Sequence, residues 1–186
     1  MVFHRNNVVR HINVITLICV MAILFPVVSF AEGNAEFLKT AKKCHDYIST
    51  NDFYYSQGVA LPIDRDGNRR VDCSSYVSWC LQVYTDGDFD ESRDSDWFLR
   101  VAKDLVNGRI PDDPALTHTW EGVKGANNFQ PGDIMCYSGH VHIYAGLSED
   151  GERLVYNAGN DTAIDSSISA ISESYFQKAN YGIRIP

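Results

Sequence analysis

The chain of 186 residues is short of basic side chains: 16 Lys and Arg stand against 24 Asp and Glu, a formal charge of −8 with His neutral. No basic stripe occurs, which argues against a nucleic-acid partner. The acidic surplus also gives no electrostatic attraction to an anionic surface. Cysteine is sparse as well. Its five copies show no C-x-x-C pair or other metal-ligand spacing, so no metal is signalled, and scattered cysteines are thin support for a disulfide framework. Internal repeats and low-complexity linkers are absent, which argues against tandem modules.

What is present starts with a leader. Arg5, Arg10 and His11 precede an apolar run from Ile12 to Val28, and Ser29-Phe30-Ala31 puts small residues where a signal peptidase reads them. The pattern predicts a secretory signal over 1–31, cleaved before Glu32, and a secreted or cell-envelope protein. The rival reading is a retained anchor, because 12–30 approaches the length that spans a bilayer. Cleavage predicts that no stable membrane span remains and that Cys19 leaves with the leader. Residues 32–186 then form one domain with one core. They keep all 24 acidic residues, 14 of the 16 basic ones, and Cys44, Cys73, Cys80 and Cys136. Cys80 and Cys136 read as small buried hydrophobes.

Apolar residues at three- and four-residue steps predict a helix over 35–49, with Phe37, Leu38, Ala41, Cys44, Tyr47 and Ile48 on one face. Tyr76, Val77, Cys80, Leu81 and Tyr84 predict a second, and Ser95 caps a third through Leu105. Asp64-Arg65-Asp66-Gly67-Asn68 reads as a turn, and Asp86 to Glu91 as a helix stop and acidic loop, rather than as calcium loops. Residues 109–130 read as a long loop. Strands follow at Ile134–Tyr137, His140–Leu147 and Arg153–Ala158, then a short helix over 172–179 and a last strand over Tyr181–Ile185. Helices first and an antiparallel sheet after them predict an α+β fold.

The stretch Asp72-Cys73-Ser74-Ser75-Tyr76-Val77 puts Cys73 at a helix N-terminus, where free N–H groups and the positive dipole end favour a thiolate. Pro131-Gly132-Asp133-Ile134 and His140-Val141-His142-Ile143-Tyr144 then supply histidine on a strand. A cysteine on a helix end followed by a strand histidine is the chain order of papain-like cysteine hydrolases. His140 and His142, two apart on a strand, share one face.

These three segments, with Ala145-Gly146 closing the last, resemble the signature segments of the NlpC family of bacterial cell-wall cysteine peptidases, in the right order from about Phe53 onward. The resemblance implies a papain-like fold with N-terminal helices on a central antiparallel sheet. It implies Cys73 as nucleophile and His140 as general base, with Asn157 of Val155-Tyr156-Asn157-Ala158 in the third polar place, where the family commonly carries His. An Asn oxygen can accept a hydrogen bond from one imidazole nitrogen and so aim the other at sulfur. The other reading of Asn157 is a strand-end turn residue. Tyr54 or Tyr55, with Tyr54 preferred, matches a cleft tyrosine, and Asp72 and Ser74 match contacts to the substrate. Asp72 also suits a helix cap. His142 falls where the family carries a small residue and reads as a partly exposed strand histidine or a substrate contact. His118 reads as surface.

The activity implied is hydrolysis of amide bonds in peptidoglycan stem peptides, of the γ-D-glutamyl-diamino acid endopeptidase type, through a thioester acyl-enzyme. The expected partners are stem peptides or muropeptides. The chemistry calls for no metal and no organic cofactor, and a monomer is expected. Alternatives are an amidase of the related CHAP type, cutting between N-acetylmuramic acid and L-alanine, or a catalytically silent wall-binding domain of the same fold.

Overall fold

The computed structural model describes residues 32–58, 69–87, 103–104, 107, 109, 120–158, 168–179 and 181–185. The leader, the turn at 64–68, the acidic loop after Gly87, most of the helix expected from Ser95, and His118 lie outside them. Among the described residues no helix is long and apolar enough to cross a membrane.

Helix α1 (Glu32–Thr50) forms where the apolar periodicity runs. Phe37, Ala41, Cys44 and Ile48, at three- and four-residue steps, are all but fully buried, which is the stripe that an amphipathic helix presents to a core. A short parallel pair, β1 (Tyr54–Tyr55) and β2 (Arg70–Val71), leads into helix α2 (Cys73–Asp86). Helix α2 ends at Gly87, whose φ of 82° is left-handed and whose N–H returns to the Val83 carbonyl at 2.9 Å, a cap that costs glycine no Cβ strain. The Tyr76 hydroxyl of α2 donates to the Ala41 carbonyl of α1 at 2.9 Å, so the buried phenol is satisfied while it joins the two helices.

The remaining strands are β3 (Glu121–Lys124), β4 (Ile134–Tyr137), β5 (His140–Leu147), β6 (Arg153–Tyr156), β7 (Ser169–Ile171) and β8 (Tyr181–Arg184). They form one six-stranded sheet in the order β3-β8-β4-β5-β6-β7, antiparallel throughout. A short helix α3 (Glu173–Phe176) lies between β7 and β8, capped by Ser172. The fold is α+β, as expected. The stretch read as one long loop contains β3 and a 3-10 turn over Ala126–Asn128.

Side chains alternate across a strand, and here both faces are covered. Ile134, Cys136, Val141, Ile143, Tyr156 and Ile183 pack with α1 and α2. Met135, Tyr137, Tyr144 and Val155 pack on the other face with Phe129, Phe176 and Ala179. Asp133, wholly buried, pins the assembly: it accepts from Nε and Nη2 of Arg184 at 2.9 and 2.7 Å, from the Gln130 backbone N–H at 2.7 Å, and from the Asn34 side-chain amide at 3.2 Å. Gly132 must be glycine there, because at φ 93° an added Cβ would stand 2.3 Å from the Asn34 carbonyl oxygen of α1.

Candidate active site

Cys73 is the first residue of α2, and only 6% of it is exposed. The backbone N–H of Val141 points to its sulfur, which seats the thiol against the start of β5, between the positions of the two histidines. Burial pushes the thiol up to about 11, outweighing the N–H groups of Val141, Ser74 and Cys73 itself that pull it down, and the Asp72 charge adds to the rise. The expectation that the helix end stabilises a thiolate is thereby corrected. The favourable N–H groups are present, but desolvation of sulfur is the larger effect.

Asp72 caps α2 in a reciprocal box. Its Oδ1 accepts the Ser75 N–H at 2.7 Å and the Ser74 hydroxyl at 2.8 Å, while its own N–H donates to Ser75 Oγ at 2.8 Å. Oδ2 accepts the Gly58 N–H at 3.0 Å. The carboxylate is therefore a buried fastening between the 58 turn and the helix that starts with Cys73. Ser74 is turned toward Asp72 by the same network. Across the β1–β2 pair Tyr54 lies opposite Arg70 and is 44% exposed, whereas Tyr55 lies opposite Val71 and packs against the core cluster that contains Cys73.

His140 opens β5, directly across from Tyr137 of β4. It is half-buried, and burial lowers its pKa while Asp72 opposes the fall. Cys73 and His140 are thus brought to the same end of the sheet with both resting pKa values shifted toward the neutral pair. His142 departs from expectation: it is 3% exposed, not partly open, and burial together with His140 lowers its pKa to about 3. Its ring meets that of His140 edge-on, with centroids 4.3 Å apart. Its Nε2 lies 3.3 Å from the Tyr175 hydroxyl, and its Nδ1 is buried without a partner among the described residues.

Asn157 follows β6, whose register pairs Tyr156 with Ile143. One step further along an antiparallel ladder faces His142, with His140 on the diagonal. The Asn157 Oδ1 is buried and, among the described residues, bonds neither histidine. Two residues that the sequence reading passed over complete the cluster. Tyr137 and Tyr175 stack at 4.6 Å, and both lie against His142, at 5.3 and 5.8 Å between centroids. The Tyr175 hydroxyl is raised by burial and then by neighbouring Cys73. Period-two alternation puts Tyr137 on the histidine face, but nothing local in the sequence signals that α3 folds Tyr175 back over it.

Cys44, Cys80 and Cys136 are free and buried in the core. Among the described residues no group of three or more His, Cys, Asp or Glu side chains is placed to hold a metal ion. A thiol at a helix start, its sulfur at the Val141 N–H next in sequence to His140, is an arrangement compatible with acyl transfer. Comparison of the chain with protein-family models, and with curated proteins, gives no match.

Proposed function

We propose that this chain is a papain-like cysteine hydrolase of the NlpC type, acting on amide bonds of peptidoglycan stem peptides. The observation that carries the reading is the seating of Cys73: first residue of a capped helix, its sulfur against the N–H of Val141, the residue after His140. Because both groups rest neutral, His140 takes the thiol proton as sulfur attacks the carbonyl carbon, rather than holding a preformed ion pair. The N–H groups at the start of α2 receive the developing oxyanion. The imidazolium then protonates the leaving amine, and neutral His140 activates the water that releases the acyl group. Asp72 is a fastening first. Mass spectrometry of muropeptides digested with the purified protein tests the reading. A new free amine on the diamino acid supports it, and release of an intact stem peptide from muramic acid identifies the amidase instead.

A further inference from the structure

We infer that His142, anchored by Tyr175, is the residue that positions His140, an inference that rests on the hydrolase reading above. The geometry is a chain of contacts across one face of the sheet. Tyr175 of α3 sets its hydroxyl 3.3 Å from His142 Nε2, and the His142 ring stands edge-on to His140 at 4.3 Å. Tyr137 of β4 closes the other side, stacked on Tyr175 at 4.6 Å and edge-on to His142 at 5.3 Å. A buried imidazole wedged among three rings has one orientation, so the ring packed against it is held as well.

Among the described residues the groups facing this pair are few. His142 meets His140 on its own strand, Tyr137 from β4 and Tyr175 from α3, with neutral Asn157 beyond the end of β6; Asp72 and Cys73 act on the cluster from the start of α2. None of these places a cation beside His142, and its own burial keeps it uncharged. When the Cys73 S–H bond breaks, its electron pair goes into the new bond to the carbonyl carbon and its proton goes to His140. The cation that forms on His140 then meets an uncharged imidazole instead of a second cation, and the electron-rich ring or the unpartnered Nδ1 stabilises it.

The test uses iodoacetamide on the full protein, with Cys73 modification followed by peptide mass spectrometry from about pH 5 to about pH 8, the range over which a histidine base loses its proton. Wild type is expected to show a rise in rate as His140 becomes neutral, above the steady increase that ionisation of the thiol itself gives, and His140→Ala to keep only that steady increase. Tyr175→Phe, which removes one hydroxyl from a half-buried ring, and His142→Leu are expected to lower that rise ~10-fold or more, the scale set by misplacing a catalytic group. Tyr175→Phe is expected to keep the wild-type melting temperature, so a loss of stability does not account for the effect. A wild-type rise in both Tyr175→Phe and His142→Leu overturns the inference while the hydrolase reading stands. A wild-type rise in His140→Ala overturns the base assignment and this inference with it.

Discussion

Cys73 sits at the start of α2 with its sulfur nearly out of water and Asp72 beside it, and His140 is half-buried within reach of the same charge. Removing a thiolate from water costs more than three N–H groups return, so the thiol rests protonated at neutral pH. Two expectations follow at this scale. Cys73→Ala abolishes turnover and His140→Ala lowers it ~10²-fold or more, the usual worth of a base that also activates the nucleophile; Cys80→Ala, two helical turns on and inside the core, keeps activity, as steady-state hydrolysis shows. Asp72→Asn keeps a capping side chain but removes the negative charge that raises both Cys73 and His140. Losing it makes the thiolate easier to form and the imidazolium harder. Both limbs of the pH profile for Cys73 alkylation therefore move to lower pH, and an unmoved profile means the charge does not reach the pair.

Helix α2 is aimed by its cap. The Asp72–Ser75 box satisfies N–H groups that would otherwise be orphaned at the helix start, and Ser75 is itself buried. Ser75→Ala is expected to destabilise the fold by ~1 kcal/mol, the ordinary worth of a cap, read as a lower melting temperature with the alkylation profile unshifted. This element was readable in the sequence because its signals are local: a capping aspartate, an apolar stripe and a glycine stop. The same holds for α1 and for β4, β5, β6 and β8, whose apolar runs mark them. Strand β3 was hidden because Glu121-Gly122-Val123-Lys124 buries Val123 alone, too little for a pattern. Strand β7, Ser169-Ala170-Ile171, exists through its pairing to β6. The positions of Cys73 at the start of α2 and of His140 at the start of β5 were legible from the same local signals. The burial of His142 and its contact with Tyr175 were hidden because they arise from register and from the return of α3 over the sheet.

In the whole molecule, the site depends on how the sheet holds α1 and α2 against one face and α3 against the other. Asp133 is the junction, wholly buried and bonded to Arg184 of β8, Gln130 and Asn34 of α1. Arg184→Ala leaves that carboxylate buried without its cation and is expected to cost ~3–5 kcal/mol, measured by denaturant unfolding, whereas little or no change means water replaces the guanidinium. The central claim is covalent catalysis at Cys73 on a peptidoglycan amide. Its most direct measurement is acid-quenched peptide mapping of the protein during muropeptide digestion. The account predicts an adduct with the mass of the acyl half of the substrate, confined to the peptide bearing Cys73 and gone when the substrate is exhausted. Products accumulating while that peptide stays unmodified, with Cys73→Ala still active, would contradict it.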